Sequence, residues 1–288
     1  NLRHIDTSNI YGMGKSEERI GKFLSKQGKQ ANSLFNIATK AAIYSDPETG
    51  KRGFNNEGAH LEEELDKSLK RMGIDCVDLF YVHRRDHNIE IEEVTESLSN
   101  LIKKGKTKSI GYSEIAPSSL KRASAIHHIA AVQSEYSLST RAPEMGLVQA
   151  CEELGTALVA FSPVGRTFLT DSPLSYDFAQ TLDFTKVNPR FKQLNYDQNI
   201  KISDKFRKYS RDIGVASATL SIAWLLAKSE NIIPIPGTRS VKHLNELAAA
   251  MEVDITDRMM SEIESILPLG WAYGDRYSDA QWIGPERY

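Results

Sequence analysis

The feature that most constrains this chain is a set of short apolar runs that do not alternate. Val77, Leu79, Phe80, Tyr81 and Val82 stand almost side by side, which suits a strand covered on both faces and therefore a parallel sheet. Comparable runs recur at 3–6, 35–40, 108–113, 131–136, 157–162 and 232–236. Helical patterns separate them. Ile20, Phe23 and Leu24 follow Ser16, read as an N-cap. Leu61, Leu65, Leu69 and Met72 form one stripe over 56–72 that stops at Gly73. Further helices are expected at about 90–104, from Pro117, and at 142–154, 202–212, 217–227, 241–251 and 257–266. Strand-helix alternation sustained in this way predicts an α/β fold on a parallel sheet.

No composition break or low-complexity linker divides the 288 residues, so a single domain over 1–288 is expected. Seven strands can be counted, whereas a closed (β/α)8 barrel has eight. The run at 3–6 reads as the second strand of such a barrel, and a segment carrying the first is expected upstream of Asn1. The stretch 166–199, rich in Asp, Ser, Pro, Asn and Tyr, shows no clear period and is read as a lid or binding loop.

With 26% charged residues and a formal net charge of -2, the chain has no general attraction for nucleic acid or an anionic membrane. Cys76 and Cys151 share no CxxC or Cys/His metal spacing, which argues for free thiols and a cytoplasmic location. No metal is expected: His127 and His128 are neighbours that point apart on a helix and have no acidic or cysteine partner. Gly14-Lys15-Ser16 matches the tail of a P-loop, but the pattern needs glycine at position 9, where Asn9 stands. A monomer or weak homo-oligomer is expected, and a small carbonyl compound is the expected partner.

The polar residues that end three of the runs carry the chemistry. Asp6, Lys40 and His83 each close an apolar segment, and parallel strands in a barrel deliver such residues to one rim, where barrel enzymes build their sites. Tyr11 lies on the turn beyond Asp6. A phenol titrates near ~10, and a close ammonium lowers that value. Lys40, oriented by Asp6, is the expected ammonium, with His83 hydrogen-bonding the oxygen that Tyr11 protonates. This set suits reduction of a carbonyl, where negative charge grows on oxygen as hydride reaches carbon.

Asp6-Thr7-Ser8-Asn9-Ile10-Tyr11-Gly12, followed by Ser16-Glu17, resembles the signature of the aldo-keto reductases, broadly their pyridoxal and aryl-alcohol reductase branch. The resemblance extends over essentially the whole chain. It implies a (β/α)8 TIM barrel, NADPH as cofactor, and Asp6, Tyr11, Lys40 and His83 as the catalytic tetrad. It further implies that Ser113, Glu114 and Gln133 hold the nicotinamide carboxamide and that Phe161 stacks on the ring. Ser162, Pro163, Val164, Gly165 and Arg166 would follow the diphosphate.

Pro236, Gly237, Thr238 and Arg239 leave a strand and enter a helix, a place where backbone N–H groups face an anion. By the same resemblance, Arg239 pairs with the adenosine 2′-phosphate, and His243, Glu246 and Leu247 lie around adenosine. Tyr44, Phe54, Trp271, Tyr273, Tyr277 and Trp282 are aromatic candidates for a substrate pocket, and Arg84 or Arg85 would favour polar or anionic carbonyls such as a pyridoxal-like aldehyde. A second class stays open, a cofactor-sensing binding subunit of the same fold with little turnover.

Overall fold

The structure is a computed structural model and describes residues 2–28, 34–45, 50 and 52–287. Its parallel strands are β1 (His4–Asp6), β2 (Asn36–Ala41), β3 (Leu79–Val82), β4 (Ile110–Ser113), β5 (Ala131–Glu135), β6 (Ala157–Phe161) and β7 (Ile232–Pro234). They make one seven-stranded sheet whose order follows the chain. Every apolar run is thus a strand, trimmed or shifted at its ends. Every residue of β3, β4 and β5 is buried, as non-alternating runs require.

The chain forms two compact units, Asn1–Gln133 with Gln149–Ala157 and Gly284–Tyr288, and Ser134–Val148 with Leu158–Ile283. In the first, parallel register pairs Asp6 with Ala38, Lys40 with Tyr81, Val82 with Tyr112 and Ser113 with Gln133. The carboxyl ends of neighbouring strands therefore share one edge. Gly111 is required there, since a Cβ would stand 2.7 Å from the Tyr81 ring and 2.5 Å from the Ala131 carbonyl oxygen.

The helices of this part of the chain are α1 (Lys15–Leu24), α2 (Gly58–Met72), α3 (Ile91–Lys103), α4 (Pro117–Ile126) and α5 (Leu147–Leu154). On α2 the stripe of Leu61, Leu65, Leu69 and Met72 is buried, each such side chain contributing about 1.5–3 kcal/mol. Gly73 ends it at φ 67, as expected. A small antiparallel hairpin, Ile43–Ser45 with Arg52–Phe54, was not foreseen, because three-residue strands are too short to show a period.

Two helix boundaries differ from expectation. Ser16 is not the N-cap of α1: the helix starts at Lys15 behind Gly14, which sits at φ 89 without a side-chain cap. Ser16 instead accepts a hydrogen bond from Thr7 Oγ1 at 2.8 Å. The helix expected at 142–154 is broken by Gly146 (φ 132) into a 3-10 turn, Ala142–Met145, and α5.

The second unit pairs β6 with β7 in parallel and carries α6 (Tyr176–Thr181), α7 (Gln193–Asp212), α8 (Ser217–Lys228), α9 (Val241–Ala248) and α10 (Asp257–Ile266). The stretch 166–199 is no single loop. It holds α6, a 3-10 turn at Pro189–Phe191 and the opening of α7, and Phe168, Phe191 and Tyr196 pack there with Ala179 as a core of their own. Among the described residues no helix is long and apolar enough to cross a membrane.

Candidate active site

The first unit brings the four polar strand-end and turn residues together. Asp6 ends β1 and Lys40 lies one residue before the end of β2. The Lys40 ammonium, fully buried, forms an ion pair with Asp6 Oδ1. The other carboxylate oxygen accepts from Gln133 Nε2 at 2.8 Å. A buried cation persists only where such partners compensate its lost hydration. Turns from Ser8 to Met13 then carry the chain to Tyr11, with the Tyr11 N–H donating to the Ser8 carbonyl. The Lys40 ammonium stands 5.1 Å from the Tyr11 ring centre. His83 follows β3 and meets Tyr11 edge to face, with ring centres 5.9 Å apart and planes at 82°. Tyr11 as a whole residue is 40% exposed.

Proton affinities differ from expectation at one place. The Tyr11 phenol is held above its ordinary value by burial and then by the Asp6 carboxylate, with Arg84 opposing. The anticipated lowering by Lys40 does not prevail, because desolvation of the phenol and the negative charge of Asp6 both favour the protonated form. Tyr11 therefore stays protonated through neutral pH. Burial pulls Lys40 below its usual value against the pull of Asp6.

His83 lies well below the usual imidazole range, through burial first and then the charges of Arg84, Lys40 and Arg52. It is neutral at pH 7, and its Nδ1 is 3.1 Å from Ser8 Oγ, leaving Nε2 as the ring's other hydrogen-bonding atom.

A stability effect follows from that depressed value. Unfolded, the imidazole takes up a proton below about pH 6.5, whereas the folded ring does not. The unfolded state then binds more protons, so stability is full above that pH and is lost as pH falls from there toward the folded value. Urea unfolding between pH 7.5 and 5 should show this acid slope flattened in His83→Gln. An unchanged slope would remove the assignment.

In the first unit, the other residues singled out by sequence crowd the same strand ends. Ser113 Oγ accepts from Arg84 Nη1 at 2.9 Å. Glu114 adopts φ 62, and its N–H donates to the Gln133 carbonyl. In the second unit, Phe161 ends β6, and Ser162, Gly165 and Arg166 follow at φ 51, 57 and 52, a strained turn. The Pro163 carbonyl accepts from Ser221 Oγ at 2.9 Å, and Val164 packs against a cluster of Ala218, Ile222, Ala223, Leu247 and Ala250. Arg166 is ion-paired to buried Glu135 at 2.5 Å and lies 4.2 Å from the Phe184 ring centre, so its guanidinium is already engaged.

Pro236, Gly237, Thr238 and Arg239 form the turn before α9, where Ser240 Oγ caps His243 N–H and Thr238 Oγ1 accepts from Ser240 N–H. Arg239 and His243 are exposed and Glu246 is half-buried. Leu247 instead faces the apolar cluster, which gives it a packing role. Two of the pocket candidates are likewise engaged in packing. Trp271 is buried with its Nε1–H on the Leu138 carbonyl at 2.8 Å, and buried Tyr277 lies against Phe184, Trp282, Arg166 and Arg276.

Other residues build the site's frame: Ser8 and Glu17, which carry no role of their own in the sequence reading, and Arg84, expected only as a contact for a polar or anionic substrate. Ser8 fixes His83. Arg84 Nη1 also donates to the His83 carbonyl at 2.6 Å, so it ties His83 to Ser113. Glu17, fully buried, accepts from Thr39 Oγ1 at 2.5 Å and pairs with Arg71 at 2.6 Å, which anchors the residue before Lys40. Ser8 and Glu17 sit inside the signature, but their roles depend on long-range contacts that no local spacing announces.

Known proteins resemble this chain along most of its length. The model described as Aldo/keto reductase family matches residues 1–268. The chain is 38% identical over 275 residues to the aldo-keto reductase yakc [NADP(+)] of Schizosaccharomyces pombe, covering 94% of this chain and 80% of that protein. It is 35% identical over 281 residues to the probable aldo-keto reductase 1 of Glycine max, covering 96% and 78%. Among solved structures, the glycerol dehydrogenase AKR11B4 of Gluconobacter oxydans superposes with a TM-score of 0.80 at 23% identity, covering 92% of this chain and 80% of that one. The thermostable aldo-keto reductase Tm1743, in complex with the inhibitor epalrestat, superposes with a TM-score of 0.70 at 26% identity, covering 91% and 81%.

Proposed function

This chain belongs to the aldo-keto reductase family, and from that premise we propose that it reduces an aldehyde or ketone to an alcohol with NADPH, Tyr11 giving the proton. The observation that carries this reading is the assembly of Tyr11, Lys40, Asp6 and His83 at adjoining strand ends. The reduced nicotinamide, when bound, supplies the hydride. The carbonyl carbon accepts it, the C=O π pair moves to oxygen, and the Tyr11 hydroxyl proton passes to that oxygen. A developing alkoxide is more basic than a phenolate, so the transfer is downhill even from a phenol of raised pKa.

His83 orients the carbonyl by donating from Nε2–H, in the tautomer whose Nδ1 accepts from the Ser8 hydroxyl. Its neutrality keeps this donor from becoming a competing acid. Lys40, held by Asp6, supports the phenolate left behind, which regains its proton from water.

The residues fit the cofactor's chemistry. Ser113, Glu114 and Gln133 offer polar groups suited to a carboxamide, and Phe161 offers a ring face. Exposed Arg239 stands on a turn opening α9, where a cation and helix amides suit the phosphate that distinguishes NADPH from NADH. Arg239→Ala should weaken NADPH binding roughly 10–100-fold and leave NADH nearly unchanged. Fluorescence titration with both cofactors decides it, since equal losses would remove the phosphate assignment.

A further inference from the structure

A cleft of about 500 Å³ opens in the first unit, lined by Arg85, His87, Ser118, Ser119, Arg122 and Glu286 among others. These are not the residues assigned to catalysis or cofactor. Two of its walls are nevertheless the segments that directly follow His83 and Ser113, so it adjoins the strand ends that carry the site.

Of the two carboxylates that line the cleft, Glu90 is paired with Arg122 and Glu286 lies on the other donors. Glu286 Oε2 accepts the Ala116 N–H at 2.7 Å, and Oε1 lies 3.4 Å from Arg85 Nε. The Glu286 N–H in turn donates to the Glu114 carbonyl at 2.8 Å. Ala116 is the N-cap of α4, a ten-residue helix without a side-chain cap whose first residue is proline. Its first-turn amides are donors with no helical partner, at the positive end of the helix dipole.

Arg85 is a second and independent sign of an anion. It is 5% exposed, and its Nη2 donates to the Ile89 carbonyl at 3.2 Å, yet among the described residues its buried Nη1 has no hydrogen-bond partner. A guanidinium is a planar fork made for two oxygens, and here one arm has none. Arg122 is already balanced by Glu90 and Glu92 at 2.5 and 2.7 Å, and Arg287 on the rim is exposed, so Arg85 is the buried cation of the cleft.

We propose that this cleft binds an oxyanion, a phosphate or carboxylate group, on Arg85 and the N-terminus of α4, and that Glu286 is a resident carboxylate competing for the same donors. The group is either the anionic tail of the carbonyl substrate or a free anion. Only the substrate arm rests on the reductase reading, because binding itself is read without turnover.

Isothermal titration of the full chain with inorganic phosphate tests the site. Glu286→Ala should bind phosphate about tenfold more tightly than the parent, since a like charge has left the donors. Arg85→Gln should lose saturable binding, and Arg85→Lys, which keeps the charge without the fork, should fall between. Circular dichroism identifies any variant that fails to fold, and the Glu286→Ala and Arg85→Lys titrations then carry the decision. Phosphate affinity in Glu286→Ala no higher than in the parent, or unchanged in Arg85→Lys and in folded Arg85→Gln, overturns the proposal.

A pair of aldehydes differing only by a carboxylate then separates the sources. A preference in kcat/KM for the anionic one that vanishes in Arg85→Lys places the anion on the substrate. Equal values for the two, together with saturable phosphate binding, make it a free anion.

Discussion

Replacing Tyr11 with phenylalanine is expected to lower kcat about 10²–10⁴-fold while NADPH affinity stays within a factor of ~3. The change deletes one hydroxyl and keeps the ring that stands over Lys40 and against His83, so the site's packing persists. The proton donor is lost, and His83 cannot replace it, because burial and three neighbouring cations keep the imidazole neutral. Hydride transfer would then leave an alkoxide without a proton, at a cost that falls on the chemical step alone. Turnover of Tyr11→Phe at the parent rate would mean that another group is the acid.

The second large effect concerns Lys40. Lys40→Met fills much of the same volume but leaves the Asp6 carboxylate, only 11% exposed, without its cation. Breaking a buried pair from one side typically costs about 3–5 kcal/mol, and Gln133 offers only a neutral donor in exchange. Urea unfolding should show that loss together with near-complete loss of activity. Lys40→Met with Asp6→Asn removes both charges and should recover most of the stability, because no unpaired ion remains, but none of the turnover. Recovery of both would show that the pair serves only the fold. Recovery of neither would show that Lys40 contributes mainly through packing.

Much of this was legible in the chain itself, and particular residues show why. The strands were visible because burial on both faces compels successive apolar residues, and the catalytic candidates because each breaks such a run at its carboxyl end, as His83 does after Leu79–Val82. What escaped was structure held by polar groups. The first turns of α7 read as loop because its buried face there includes Tyr196 and Asn199 and, further on, Ser203 and Arg207. Their hydrogen bonds, Asn199 Nδ2 to the Arg190 and Tyr273 carbonyls and Arg207 Nη1 to the Phe168 carbonyl, do what apolar side chains do elsewhere. Hydrophobic periodicity carries no trace of such a face.

The same holds within the site. Ser16 has the residue type of a helix cap, but tertiary packing gave its hydroxyl to Thr7. Arg166 has the charge for a diphosphate, but Glu135 lies within 2.5 Å of it. Leu247 falls at a cofactor position by resemblance, while its burial in the cluster around Ile222 follows from the face of α9 it occupies. The expected lowering of the Tyr11 pKa failed because burial of the phenol and then the Asp6 carboxylate raise it, and sequence spacing shows Lys40 without showing how far the phenol is desolvated.

A site that turns over with Tyr11 as its acid differs from one that merely binds a nicotinamide. Single-turnover mixing of the NADPH-loaded chain with a panel of aldehydes distinguishes them most directly, with absorbance of the reduced nicotinamide followed alongside the alcohol formed. The expected result is loss of NADPH matched one for one by alcohol in the parent, slowed by orders of magnitude in Tyr11→Phe. Tight NADPH binding with no oxidation by any aldehyde in either protein would contradict this and mark the chain as a cofactor-sensing one.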